Sequence, residues 1–415
     1  MIAGHGSAGW GGRPVAGLLV ALIAATAAAQ PSAPGRGILP AAETARLTVV
    51  GRVDGVTRLD RSGYAATVQV DRVLAGTAQP GTGLRIGWEE LAAARPPRFA
   101  DQQRVLVVLD DLPPGSLWRQ RFPTDSAALA VAERGDAFLA EPTSGDLDLL
   151  AAYLQLGRAA PAAARATALS RMVAAATPAL AGIAVARLAS TPDLGAGLDA
   201  AAVDRVMRTA TDADRPLALR RAVIALAGSA RLVAAAPQLE GLARPGAVLE
   251  PEALVALGEI RGGLPPSQVE ALLDRQEAGP RAVGARFATG ALAERRLPPL
   301  VRGDASPSVR AAAAQALAAT RTAWGLEAAV PALADPDPQV RSAAAQALGE
   351  LGSAAVPALE TVALTQPAEA RGAITALALA GPTGVAVVRR LGTQHPDPRL
   401  RDFARLALGQ GPHAH

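Results

Sequence analysis

Aspartate and arginine recur together in this chain, Asp304 with Arg310 and Asp335 with Arg341. An aspartate–arginine pair can present a charged ladder to a ligand or brace neighbouring segments through a charge-assisted, bidentate bond. Both members repeat at 31 residues (304 to 335, 310 to 341), which favours the brace. Asp337 with Pro338 returns as Asp397 with Pro398, and Arg401 follows Arg341 by sixty residues. Other arginines lie off this pattern. Arg295, Arg296 and Arg302, and further on Arg389 and Arg390, are the candidates for contacting an acidic partner. Trp324, between two expected helices, either caps the turn or anchors an interface.

Little else in the chain suits catalysis. Cysteine is absent, which removes thiolate nucleophiles, thiolate metal sites and disulfides. Of four histidines, His5, His413 and His415 lie near the termini and His395 in an expected loop. A Ser-His-Asp triad or a histidine metal site in the folded body is therefore not expected. Asp110-Asp111 and Glu89-Glu90 could pair as acid and base or hold calcium. Beside Pro113-Pro114-Gly115, however, the aspartates read as a solvated turn, and no Asp-x-Asp-x-Asp-Gly loop occurs. A phosphate-cradling loop would need a lysine, and the chain has none. The expectation is no enzyme, no cofactor and no metal.

The elements that position these residues are read from the repeat. Asp335-Pro-Asp-Pro-Gln-Val-Arg341 and Gln346-Ala-Leu348 restate Asp304-Ala-Ser-Pro-Ser-Val-Arg310 and Gln315-Ala-Leu317. Ser306, Asp337 and Asp397 stand where a helix-start acceptor belongs, and the following proline loses nothing by lacking an N–H. Alanines at three- and four-residue spacing allow close helix packing, with Val309, Val340 and Leu348 as the apolar seam. Degenerate copies occur at 216–226, 253–260, 280–292, 367–377 and 396–409. A unit of this length cannot bury its apolar face alone and must stack on neighbours. The motif resembles HEAT repeats, in particular the short phycobilisome-lyase kind. That resemblance implies an α-α superhelix binding protein partners, with second helices such as 326–333 and 354–362 on the concave face. It also raises a lyase-type enzyme as an alternative.

Between Arg46 and Ala140 the period is two. Strands are predicted at 47–53, 64–74, 84–88, 104–109, 128–131 and 137–140, separated by Gly and Pro turns. Six of the eleven aromatics lie here (Tyr64, Trp88, Phe99, Trp118, Phe122, Phe138), as if the segment owned a separate core. Val68, Val70 and Val73 are the expected inward positions on the second strand. The pattern suits a small barrel and resembles the OB-type barrels of netrin and metalloprotease-inhibitor domains, with an immunoglobulin-like sandwich as the other option. Those inhibitors use an N-terminal cysteine, which this chain lacks. A ligand- or glycan-binding or protease-inhibiting role for this domain is the alternative; exposure of Trp88 and Trp118 on one barrel face would favour it and burial of both would weaken it.

Half the residues are hydrophobic but 3% are aromatic, so Ala, Leu and Val must do most of the packing. All 41 basic residues are Arg, and Lys and Asn are missing, a composition that suggests a GC-rich bacterial genome. The pI near 10.6 reflects arginine's high pKa more than net charge, which is +4. Acidic residues are interspersed with the arginines, so no nucleic-acid partner is expected. Arg13 followed by the apolar run 15–29 and Ala27-Ala28-Ala29-Gln30 reads as a cleaved export signal, too short for a membrane span. The expected chain is mixed, mainly α. It comprises a signal peptide (1–29), a linker (30–44), an OB-like β domain (45–142) and a HEAT-like solenoid of about seven repeats (146–411). The expected role is an exported, periplasmic or envelope scaffold that binds a protein partner without catalysis.

Overall fold

A computed structural model describes residues 37–89, 99–122, 128–132 and 137–409. The expected signal peptide, the first part of the linker, Glu90, His5, His413, His415 and the last residues of the expected solenoid lie outside the described residues. The chain divides into two compact units, Met1–Ile260 and Arg261–His415.

In the first unit, period-two segments become β1 (Leu47–Arg58), β2 (Gly63–Ala75), β3 (Gly83–Glu89), β4 (Arg104–Asp111), β5 (Ala128–Val131) and β6 (Phe138–Ala140). The ladders run β1-β2-β3-β5-β4, and β1 also pairs with β4, which closes a five-stranded barrel. All pairings are antiparallel except β3 with β5. Strand β6 extends the edge of β4 beside residues 105–107. Closure decides between the two expected architectures: this is a barrel, not a sandwich.

Strand β1 must turn a corner to pair with both β2 and β4, and register shifts at Val50/Gly51 and Asp54/Thr57 supply the bend. Gly51 makes the close approach possible, because a Cβ there would collide with the carbonyl oxygen of Gln69 on β2. Gly51→Ala is expected to destabilise this unit by about 1–3 kcal/mol, through forced backbone movement. Urea denaturation followed by tryptophan fluorescence measures it, and an unchanged midpoint would refute the account.

Two apolar layers use the two faces of the barrel. Inside, Tyr64 stacks on Trp88 at 5.6 Å, Trp88 meets Phe99 edge-on at 4.8 Å, and Phe99 meets Phe138 at 4.8 Å. Val49, Val53, Val68, Val70, Val105 and Val107 complete this interior, with Val73 at its rim. Outside, Val50, Leu106, Val108 and Leu139 join a second core with the helices that follow. Burial on both faces explains why Arg104-Val-Leu-Val-Val-Leu109 is continuously apolar rather than alternating. Four of the six aromatics own a core, Trp118 and Phe122 pack in a small separate cluster with Leu112, and the barrel wall shares a further core with helices Ser144–Leu156, Ala162–Ala175 and Pro178–Ser190.

Residues 37–44 depart from the linker expectation. Ile38–Ala42 is a short helix whose Ile38 and Leu39 are completely buried against the barrel wall and the helix Pro178–Ser190. Two large aliphatic side chains in a Pro/Ala-rich segment were enough to draw it into the core.

The second unit is a helical array. Helices Ala278–Phe287, Pro307–Ala319, Pro338–Gly349, Ala370–Leu379 and Pro398–Ala407 stack each upon the next. Their alanines are buried: Ala311, Ala313 and Ala314 in one, Ala343, Ala344 and Ala345 in the next. Second elements alternate with them: Gly290–Gly303, Ala323–Ala329 continuing as a 3-10 turn Val330–Ala334, Val356–Thr365 and Pro382–Gln394. Side chains of Asp337 and Asp397 cap their helices by accepting from the N–H of Gln339 and Arg399, at 2.7 and 2.8 Å. Ser306 does not cap. Its hydroxyl turns to Ser308, and Asp304 accepts from the Ser306 N–H instead.

Candidate partner-binding groove

The repeated aspartates and arginines meet across repeats, and the partners differ from those the spacing suggests. Asp304 is paired with Arg281 at 3.0 Å, and Asp335 with Arg310, whose Nε and Nη2 reach its two oxygens at 2.7 and 2.8 Å. The arginine six residues downstream serves its own repeat differently. Arg310, Arg341 and Arg401 each donate Nη1 to the carbonyl of residue 304, 335 or 395, at 2.8, 2.6 and 2.6 Å. One guanidinium thus ties down its own turn, and where a carboxylate follows it also grips the next repeat.

Burial alone would raise the Asp335 carboxyl, but hydrogen bonds from Arg310 and the Asp337 N–H outweigh it and hold it below the usual range. The same balance, with Arg281 and the Ser306 N–H, lowers Asp304. The ladder then stops. Where the next two aspartates would stand are Thr365 and His395, and Arg341 makes no ion pair among the described residues. His395 does lie in the connection between Pro382–Gln394 and Pro398–Ala407, but it is buried there: its Nδ1 accepts from the Asp397 N–H and its Nε2 faces the Ala363 carbonyl, both at 3.0 Å.

The arginines put forward for a partner divide into two groups. Arg295 reaches Glu270 at 3.0 Å, Arg296 reaches Asp274 at 2.6 Å, and Arg390 pairs with Glu360. These pairs cross from one second helix to a neighbour, so three of the five arginines fasten the array. Arg302 and Arg389 are exposed and make no ion pair among the described residues. Trp324 is 37% exposed at the start of its helix, one residue from Ala323 in the groove wall.

The second helices enclose an open groove of about 760 Å³. Leu326, Val330, Pro331, Ala355, Ala358 and Val362 form its apolar lining, with Arg302, Arg321, Glu327, Thr322, Thr361 and Gln366 around it. Its volume falls within the usual range of ligand-binding clefts. Arg302 is the one residue singled out from sequence that lies in the wall. Arg321 was missed, although one signal was available: it occupies a turn position that glycine fills in neighbouring repeats.

A second missed cluster lies in the first unit. The Glu43 carboxylate is 5% exposed and accepts from Arg165 at 2.7 Å, Arg187 at 2.8 Å and the Tyr153 hydroxyl at 2.5 Å. Burial would raise this carboxyl, yet the Tyr153 hydrogen bond and the two guanidinium groups leave it below the ordinary value. Burial and Glu43 together push the Tyr153 hydroxyl up. Neither tryptophan considered for glycans offers an exposed platform, which weakens that alternative: Trp88 is fully buried, and Trp118 is 6% exposed with its Nε1–H donated to the Tyr64 carbonyl. Among the described residues no group of three or more His, Asp or Glu could hold a metal ion.

Stacked helix pairs, a cross-repeat Asp–Arg brace and a groove between second helices define an α-solenoid of repeats, preceded in the chain by a barrel. Residues 295–380 match the family model of HEAT repeats, so the groove and both braces lie largely within HEAT repeats. A comparison with curated proteins returns no match. Among solved structures, human deoxyhypusine hydroxylase in complex with glycerol is 18% identical, covering 65% of this chain and 97% of that one, with a TM-score of 0.26. An engineered protein is also 18% identical, covering 64% of this chain and 84% of its own, with the same TM-score of 0.26. At those scores neither likeness bears on activity.

Proposed function

We propose that this protein is an exported, non-enzymatic scaffold of the bacterial cell envelope that binds a protein partner on its second-helix face. The groove is the observation that carries the reading. It combines an open apolar floor with Arg302, Arg321 and Glu327, which make no ion pair among the described residues, a combination suited to recognition. Shortage of histidine and absence of cysteine leave few groups for catalysis. The export part rests on the apolar run 15–29 and its small-residue end, and no helix among the described residues is long and apolar enough to cross a membrane. N-terminal sequencing of the envelope-located protein is expected to start near Gln30.

A photo-crosslinking side chain placed at Trp324 in the producing cell tests the partner. The same group at Gln339, exposed on a first helix, is the control. One abundant adduct from position 324 and none from 339 is the expected outcome. Equal labelling from both positions, or none from either, would defeat the scaffold reading.

A further inference from the structure

Ion pairs zip the second-helix face of Arg261–His415 on both sides of the groove, but not across it. Arg295 and Arg296 hold the helix Gly290–Gly303 to Glu270 and Asp274, and Arg390 holds Pro382–Gln394 to Glu360. Between Gly290–Gly303, Ala323–Ala329 and Val356–Thr365, no ion pair forms among the described residues. The charges are present even so: Arg302, Arg321 and Glu327 all line the gap, two positive against one negative.

Arg321 also occupies an unfavourable backbone conformation. The turn linking a first helix to a second needs a residue with positive φ, and glycine fills it at Gly262, Gly290, Gly352 and Gly381, with φ of 76, 54, 64 and 81°. At the groove that turn carries Arg321 with φ 55°. An L-residue there is strained relative to glycine. Arg231, with φ 51°, fills the equivalent turn between Leu217–Ser229 and Ala236–Leu242, so the strain recurs in the array; what sets Arg321 apart is that its side chain lines the wall of the unzipped gap.

We infer that this groove takes a peptide segment carrying a carboxylate beside an apolar side chain. Arg302 and Arg321 receive the carboxylate, supplying from the partner the acidic group that neighbouring rungs find within the fold. Leu326, Val330 and Val362 receive the apolar group. Guanidinium forks suit a carboxylate in geometry as well as charge. The inference rests on the proposed function and narrows it to one site and one partner chemistry.

A random peptide library displayed on phage and selected on the full chain is the test. Enriched peptides are expected to share Asp or Glu next to Leu, Ile, Val or Phe. In fluorescence titrations of one such peptide, Arg302→Ala, Arg321→Ala and replacement of the peptide's acid by its amide should each weaken binding about tenfold. Arg321→Gly should weaken binding similarly while raising the Tm by about 2–4 °C, a pairing that a purely structural arginine would not give. Three results overturn the inference: no enrichment, enriched peptides without a conserved acid, or affinities indifferent to both arginines. Self-association in sedimentation that Arg302→Glu abolishes would overturn it too, by giving the groove to a second copy. A selective adduct from position 324 alongside any of these failures would leave the scaffold reading intact and remove only this site.

Discussion

Replacing Glu43 by alanine is expected to destabilise the first unit by about 3–5 kcal/mol, because it leaves a buried positive pair without its counter-charge. Arg165 and Arg187 are 14% and 17% exposed, so water cannot take over the role of the carboxylate. Glu43 also fixes the end of Ile38–Ala42, the helix wedged between barrel wall and helical core. Its loss should therefore lower the Tm by on the order of 10 °C and speed proteolysis near residue 45. Arg158→Ala is the control: that side chain is 64% exposed and stands 3.9 Å from Glu43, so it should shift the Tm little. The pH dependence has a definite sign. The folded carboxyl sits below its ordinary value of 4.5, so its contribution is complete above that pH and fades as pH falls through the lower folded value. The stability gap between wild type and Glu43→Gln should be flat from pH 8 to 5 and shrink below about pH 4.5. A gap that widened on acidification would exclude this account.

The legible parts of the fold were those written in local signals. Helix starts at Asp337-Pro338 and Asp397-Pro398 depend on one acceptor and one missing N–H, both set within three residues. Strands such as β2 were visible because inward and outward residues alternate, while β4 and β5, which did not alternate, turned out to be buried on both faces. Ring closure was not written locally. It depends on β1 pairing with β4, from Leu47 with Leu109 to Arg52 with Arg104, and on a bend at Gly51.

Charge pairing was harder to read for the same reason. Asp335 has arginines six residues ahead and twenty-five behind, and spacing alone favours the nearer. Arg341 instead spends its nearest donor on the Asp335 carbonyl, which leaves the carboxylate to Arg310 of the preceding repeat. Glu43 was invisible because its partners lie more than one hundred residues away. A hint existed, an isolated acid right after an apolar pair in a Pro/Ala segment. Arg295, Arg296 and Arg390 looked like partner contacts because sequence shows a cation but not the acid across the groove wall.

Asp335→Ala is expected to cost about 3–5 kcal/mol, concentrated at one junction of the second unit. The aspartate is 5% exposed and its arginine 13%, so removal strands a guanidinium that water reaches poorly. It also frees the Asp337 N–H at the start of helix Pro338–Gly349. Repeats contact only their neighbours, so lost coupling at one interface should not spread evenly. Urea unfolding should broaden or split, and hydrogen exchange should quicken in Pro338–Gly349 and the helices after it before those preceding it. Asp337→Ala removes an N-cap and no ion pair, so it should cost about 1 kcal/mol and keep one transition. Acidification follows the same sign as for Glu43. The Asp335 carboxyl is lowered, so its contribution is full above its ordinary value of 3.8 and is lost below it. Position in the array sets the size of the effect. Asp335 is the last carboxylate of the ladder, since Thr365 and His395 follow it. Among the described residues no further rung of this ladder stands beyond the junction, and the exposed Arg390–Glu360 pair is the weaker tie left there, so a split transition should appear at Asp335 more clearly than at Asp304.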